Sequence, residues 1–247
     1  MDSIRGLEIL MISIIIPTFN HCDDLLKPCI NSVLRNTTMN NVELIIVANG
    51  CTDNTKQYLD SFNFKSLWYD KPLGFPKAIN EGIKNISNDS THILLLNNDC
   101  LLLEQPKDLW INILLSLFHN PKVGIVGPLK LYDNDVMQYY IQFFIAMIKR
   151  EVIQKIGLLD ETFCDGNCED ADYCIRAKIN GYEIANAPVT FNLATTMKLG
   201  QFPIFHIAHA TTCDIKGFSE NVKNNLITLK NRYKDLPPEK FEKEVYC

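Results

Sequence analysis

The stretch Thr91-His92-Ile93-Leu94-Leu95-Leu96-Asn97-Asn98-Asp99 decides the fold class. Its apolar centre does not alternate with polar positions, so a strand here is covered on both faces. Such strands sit inside parallel sheets, with helices packed above and below. Three polar residues follow at once, and Asn and Asp favour the turn that ends a strand. Upstream, residues 12–16 form a second β-branched run ended by Pro17, residues 42–48 a third closed by Asn49-Gly50, and residues 67–69 a short fourth. Between them Leu25, Leu26, Cys29, Ile30, Val33 and Leu34 recur at helical spacing after the cap candidates Asp23 and Asp24. Thr52 and Asp53 can cap a helix to about residue 59, and residues 76–86 read as another. Downstream, Pro106 opens a helix to about residue 119, followed by a strand over 123–126.

Alternating strands and helices predict an α/β architecture with a mostly parallel central sheet flanked by helices. Ligands of such sheets bind beyond the carboxyl ends of the strands. The residues placed there by pattern alone are Thr18 and Asn20, Asn49, and Asn97 to Asp99.

The second half is less regular. Residues 149–156 read as a short helix, 165–167 as a turn, and 169–180 as a helix closed by Gly181. Residues 182–189 and 202–208 look extended, and 217–233 form a last helix before Pro237-Pro238 and a charged tail. No linker or repeat divides the chain, so residues 11–233 read as one domain between an extension (1–10) and a tail (234–247).

Composition narrows the function classes. The 247 residues are 47% hydrophobic and 21% charged, enough to bury a core. A net charge of -5 with no basic block argues against nucleic acid as the main partner. The nine cysteines are scattered and odd in number. With no cleavable leader visible, they read as free thiols in a reducing, cytoplasmic setting. The apolar runs are too short or interrupted for a transmembrane segment, while peripheral membrane contact stays open.

Two clusters can carry chemistry. Asp99, at the mouth of a buried strand, could hold Mn²⁺ or Mg²⁺ against a diphosphate, since these ions prefer oxygen ligands and keep substrate phosphates in their shell. Its plain reading is a turn. Residues 164–174 gather Asp165, Glu169, Asp170 and Asp172 at a helix start. Acidic residues there complement the helix dipole. Alternatively, one of them is a general base that the dipole keeps ionised.

The segments ISIIIPTFN (12–20), VELIIVANGCTDNT (42–55), DKPLGFPKAINEGI (70–83), HILLLNNDC (92–100), KREVIQKIGLLDETF (149–163), CEDADYCIRAKINGYEI (168–184) and IFHIAHATT (204–212) together resemble family 2 glycosyltransferases with the Rossmann-like GT-A fold. The resemblance runs from about Met11 to Tyr233, and the Asn-Asn-Asp run is similar to the rhamnosyltransferase-like branch. It implies an inverting, metal-dependent transfer of a sugar from a nucleoside-diphosphate sugar, UDP- or dTDP-linked, to a hydroxyl of a glycan, lipid-linked or protein-linked acceptor. It places Pro17, Thr18 and Asn20 in the nucleotide pocket and Asn49 at the base. Gly74, Phe75 and Asn80 fall in the segment closing over nucleotide and donor, and Asn97, with Asn98 beside it, at the ribose or sugar. It implies that Asp99 binds the metal with help from His206. Asp170 would deprotonate the acceptor, with Glu169 and Asp172 supporting it or holding the acceptor.

The chain departs from the family pattern at Ala48, where an Asp is usual, and at Cys51, where Ser is frequent. Residues 132–145 match no family segment; Phe143 and Phe144 there read as core or as an acceptor-facing loop. Three rival readings remain. One is a catalytically inactive nucleotide-sugar-binding module of the same fold. Another is a zinc site of Cys164, Cys168 and Cys174 with His206 or His209. The third is a nucleotidyltransferase, which needs a Gly-rich basic loop that Pro17-Thr18-Phe19-Asn20-His21 does not provide.

Overall fold

The structure is a computed structural model that describes residues 10–131, 139–164, 166–187, 202–207 and 217–236. Expected features at 1–9, 132–138, Asp165, 188–189, 208–209 (including His209) and 237–247 lie outside the described residues.

Eleven strands are described: β1 (Met11–Thr18), β2 (Val42–Asn49), β3 (Lys65–Tyr69), β4 (Ser90–Leu96), β5 (Cys100–Leu102), β6 (Val123–Gly127), β7 (Leu129–Leu131), β8 (Tyr139–Ile141), β9 (Ile145–Lys149), β10 (Glu183–Asn186) and β11 (Ile204–His206). Helices α1 (Lys27–Asn36), α2 (Thr55–Leu59), α3 (Phe75–Lys84), α4 (Leu109–Ser116), α5 (Arg150–Ile156), α6 (Glu169–Ile179) and α7 (Phe218–Tyr233) connect them. The main sheet has seven strands in the order β10-β6-β9-β4-β1-β2-β3.

All neighbours in it pair in parallel except β9, which runs antiparallel between β4 and β6. That inserted strand departs from the sequence reading. A short, wholly apolar run buried on both faces carries no periodicity to set it apart from generic core. Antiparallel two-stranded pairs β7–β8 and β5–β11 complete the strand set.

Period-two side-chain alternation divides the core into two layers. Ile15, Ile45, Val47, Ile93 and Leu95 face α3, α5, α6 and α7, represented by Ile79, Val152, Tyr173 and Leu229. Ile14, Ile16, Ile46, Leu94 and Leu96 face α1 and α4, represented by Ile30 and Trp110, together with Ile204 of β11. The three-layer sandwich expected from the unbroken apolar runs is therefore present. Pro17 sits within the central strand β1, opposite Val47. The register of β1 with β4 has by then ended at Ile15.

The helix expected over 106–119 is shorter. Asp108 adopts a left-handed φ of 67° and the last turn tightens into a 3-10 form over Leu117–His119. Among the described residues no helix is long and apolar enough to cross a membrane.

Candidate active site

The carboxyl ends of β1, β2 and β4 deliver their polar residues to one edge of the sheet. Asn98, buried, donates from Nδ2 to Thr18 Oγ1 at 3.0 Å and so ties the end of β4 to the end of β1. Asn20, with a left-handed φ of 52°, accepts the Thr52 N–H at its Oδ1 over 2.8 Å. Cys51 Sγ takes the Asn20 N–H at 3.3 Å and faces the Thr18 carbonyl at 3.4 Å. The thiol thus stitches the loop after β1 to the loop after β2.

Asn49 is buried at the end of β2, and its Oδ1 accepts the Leu73 N–H at 2.6 Å. Gly74 follows with φ 81° and ψ 163°, a conformation essentially reserved to glycine, and starts α3. Asn49, Gly74 and Phe75 therefore converge. Asn80 does not join them. It is 1% exposed, donates to the Leu159 carbonyl at 2.9 Å and to Glu161 Oε1 at 3.0 Å, and accepts the Leu159 N–H at 2.9 Å. These bonds occupy its amide, so Asn80 braces α3 against the 159–161 loop.

Asp99 follows the turn after β4 and is 5% exposed. Pairing of β5 with β11 sets His206 opposite Cys100, and the Ile207 N–H bonds the Asp99 carbonyl at 3.1 Å. His206 Nε2 comes within 3.2 Å of Asp99 Oδ1. That oxygen is buried and has no hydrogen-bond partner among the described residues, so the close approach is out of line for a hydrogen bond. Phe144 stacks on the imidazole with ring centroids 4.1 Å apart and planes 8° from parallel.

One ligand atom each from Asp99, Cys100 and His206 lies within 4.8 Å of the others. Burial, and then the charge of Asp99, push the Cys100 thiol well above its ordinary pKa. Cys100 Sγ is turned to the Phe144 carbonyl at 3.6 Å, and Mn²⁺ and Mg²⁺ prefer oxygen ligands, which favours the Asp99 carboxylate with the imidazole beside it. An orphaned buried carboxylate oxygen beside an imidazole fits a divalent cation. Asn97 Oδ1, next to this pair in sequence, is likewise buried without a partner among the described residues.

The acidic helix α6 starts at the same edge. Phe75 opens α3 beside the Asn49–Leu73 bond, and a Cβ placed on Gly166 would lie 3.5 Å from Phe75 Cβ and 3.9 Å from Glu169 Oε1. The residues just before α6 therefore lie against the start of α3, and α6 runs back to the turn that feeds β10. Asp170 is half-buried, and its Oδ1 accepts the Ala171 N–H at 2.8 Å. Glu169 is 5% exposed with Oε2 unpartnered among the described residues. Burial first, and the neighbouring Asp170 charge second, push its carboxyl well above the usual range.

Asp172 turns inward and is fully buried. It accepts from Arg176 Nε at 2.8 Å, Arg232 Nη1 at 2.6 Å and Tyr233 Oη at 2.7 Å. Its oxygens are enclosed by these three donors, and it anchors α7 to α6. Among the described residues Cys164, Cys168 and Cys174 do not gather as metal ligands. Cys174 Sγ instead accepts the Ile141 N–H at 3.5 Å, and burial raises its thiol to about 12.

Residues 13–169 match the family model described as glycosyl transferase family 2. The chain belongs to that family. Over 133 residues this family 2 chain is 31% identical to the O-antigen biosynthesis protein RfbC of Myxococcus xanthus, covering 52% of the chain and 10% of that protein. Over 122 residues it is 30% identical to the glycosyltransferase AglE of Haloferax volcanii, covering 47% of the chain and 38% of that protein.

Among solved structures, it resembles the mannosyltransferase PcManGT from Pyrobaculum calidifontis in complex with GDP-Man and Mn²⁺. The TM-score is 0.57 at 16% identity, over 72% of the chain and 54% of that protein. It also resembles GalNAc-T7 with UDP, GalNAc and Mn²⁺, with a TM-score of 0.57 at 13% identity, over 71% of the chain and 42% of that protein. At these identities the likeness establishes the fold, which is GT-A, as the sequence reading anticipated.

Proposed function

We propose that this protein is an inverting, divalent-metal-dependent glycosyltransferase acting from a nucleoside-diphosphate sugar on a hydroxyl of a glycan or glycoconjugate. Residues 11–233 are taken as its working domain. The observation that carries the proposal is the orphaned Asp99 Oδ1 beside His206 Nε2, at the same sheet edge as the Glu169-Asp170 pair. A nucleotide with a diphosphate accounts for both the polar cradle at Thr18, Asn20, Asn49 and Asn98 and the metal-type donors beyond it. The ligands named for PcManGT and GalNAc-T7 point in the same direction. The preference for UDP- or dTDP-linked sugars rests on the sequence resemblance.

A divalent cation held by Asp99 and His206 would supply electrostatic stabilisation to the departing diphosphate. The chain's own residues do the rest. Thr18, Asn20 and Asn49 orient the nucleotide, and the Gly74-Phe75 segment lies over it. The acceptor oxygen attacks the anomeric carbon from the face opposite the diphosphate. As that C–O bond forms and the bond to the diphosphate breaks, the hydroxyl proton passes to an Asp170 carboxylate oxygen. Glu169, buried with its Oε2 enclosed, is not the acid assigned to receive it. One displacement inverts the anomeric centre.

A thermal-shift panel of UDP-, dTDP- and GDP-sugars, each with Mn²⁺, Mg²⁺ or EDTA, tests the proposal. A donor that stabilises only with metal, and is then turned over with a hydroxyl acceptor, supports it. Stabilisation by none of these nucleotides would end it.

A further inference from the structure

The acid pair of α6 is reached through an unusual backbone. Gly166 (φ 92°), Asn167 (φ 72°) and Cys168 (φ 75°) are three consecutive left-handed residues, and two of them carry a Cβ. Non-glycine residues hold this conformation only where surrounding structure over-determines it. Here the over-determining group comes from far away in sequence. Asn225, 5% exposed in the middle of α7, points its Nδ2 at three carbonyls of the turn: Cys164 at 3.2 Å, Gly166 at 3.0 Å and Asn167 at 3.2 Å.

Two amide hydrogens shared among three converging carbonyl oxygens neutralise partial charges that otherwise repel one another. The same helix then grips the far side of the acid pair, where Arg232 Nη1 and Tyr233 Oη both donate to Asp172 Oδ1. Asp170 is thus bracketed between two attachments to α7. That helix lies outside the segment matched by the family model, which ends at residue 169.

We propose that Asn225 is a positioning residue: by clamping the carbonyls of Cys164, Gly166 and Asn167 from α7, it aims the Glu169-Asp170 pair at the carboxyl edge of the sheet. This rests on the glycosyltransferase reading for its catalytic consequence, though not for the clamp itself. Asn225 touches no reacting atom. Its effect reaches the chemistry through the backbone that carries Asp170, and a misplacement of about 1 Å in such a group can cost on the order of 10²-fold in rate.

The test compares the full chain with Asn225→Ser, which loses the amide donors, and Asn225→Asp, which turns an acceptor toward the three carbonyls. Asn224→Asp, on the exposed side of the same helix, is the charge control. Two readouts are taken at a temperature where circular dichroism shows each protein folded. Hydrogen exchange of peptides spanning 163–172 should quicken several-fold in Asn225→Ser, leaving β1 and β4 unchanged. Steady-state turnover should show kcat lowered by about 10- to 100-fold with the KM for the nucleotide-sugar unchanged. Asn224→Asp should match wild type in both. A purely structural asparagine would lower the melting temperature and leave kcat per folded molecule intact, which overturns the positioning role. Exchange in 163–172 that does not change overturns the clamp. Wild-type protein that turns over no nucleotide-sugar sinks the activity reading, and the exchange comparison still decides whether the clamp exists. Should Asn225→Asp fail to fold, Asn225→Ser carries both readouts.

Discussion

His206 Nε2 stands 3.2 Å from Asp99 Oδ1, although His206 ends β11 and Asp99 lies in the turn before β5, far apart in the chain. The antiparallel pairing of β5 with β11 brings them together, and Phe144, stacked flat on the imidazole, fixes the ring plane. Phe144 is itself placed at the start of β9, where its carbonyl accepts the Asn97 N–H at 2.8 Å. The pair is therefore preorganised by three backbone elements. A cation arriving there meets donors already in place, and little ordering cost falls on binding.

Replacing the proposed base is the sharpest kinetic prediction. Asp170→Asn keeps the side chain's shape and removes its capacity to accept a proton. Turnover should fall by about 10²–10⁴-fold, with the nucleotide-sugar dissociation constant unchanged. Single-turnover transfer and donor titration on the same preparation check this. Wild-type-like turnover would move the base elsewhere.

Asp172 should behave differently. Its carboxylate is enclosed by Arg176, Arg232 and Tyr233. Removing one member of a buried ionic cluster leaves the others unpaired, at a cost of about 3–5 kcal/mol. Asp172→Ala should show that loss in urea unfolding. A change below about 1 kcal/mol, the range of exposed pairs, would show that the cluster is effectively solvated.

Glu169 predicts a pH dependence of stability. Its folded-state pKa lies well above the ordinary glutamate value because burial and Asp170 penalise the charged form. Above the unfolded-state pKa the unfolded chain has lost this proton while the folded chain still holds it. Stability from this group is therefore full at acid pH and declines as pH rises toward the folded-state pKa. Glu169→Gln cannot ionise. Its stability relative to wild type should improve between pH 5 and pH 8, as read from denaturant midpoints. A constant difference across that window would mean that Glu169 is ionised throughout.

Much of this arrangement is legible in the residues alone. Apolar runs at 14–16, 44–48 and 93–96 announce strands covered on both faces, and helical spacing between them forces the layered sheet. Asp99 follows a buried strand and a group of acids opens α6, while the choice of Asp170 among those acids rests on the family resemblance. What escaped the reading depends on contacts between distant segments. β9 is apolar on both faces and gives no period. Asn80 looks like a ligand contact, and only the return of the 159–161 loop shows its amide to be occupied. Asp172 and Asp170 are two residues apart on one helix and therefore face different ways, so Asp172 is fully buried while Asp170 is half-buried. Asn225 sits in a polar helix where nothing local distinguishes it from Asn221 or Asn224.

The central claim is that Asp99 grips a cation that in turn holds a diphosphate. Thermal unfolding of wild type and Asp99→Asn with UDP, in Mn²⁺ or in EDTA, addresses it most directly. UDP at about 100 times its dissociation constant should stabilise the wild type by about 2.7 kcal/mol in Mn²⁺. That gain should vanish in EDTA and be absent from Asp99→Asn under either condition. Equal stabilisation of both proteins by UDP, or equal stabilisation of the wild type with and without metal, would contradict the claim.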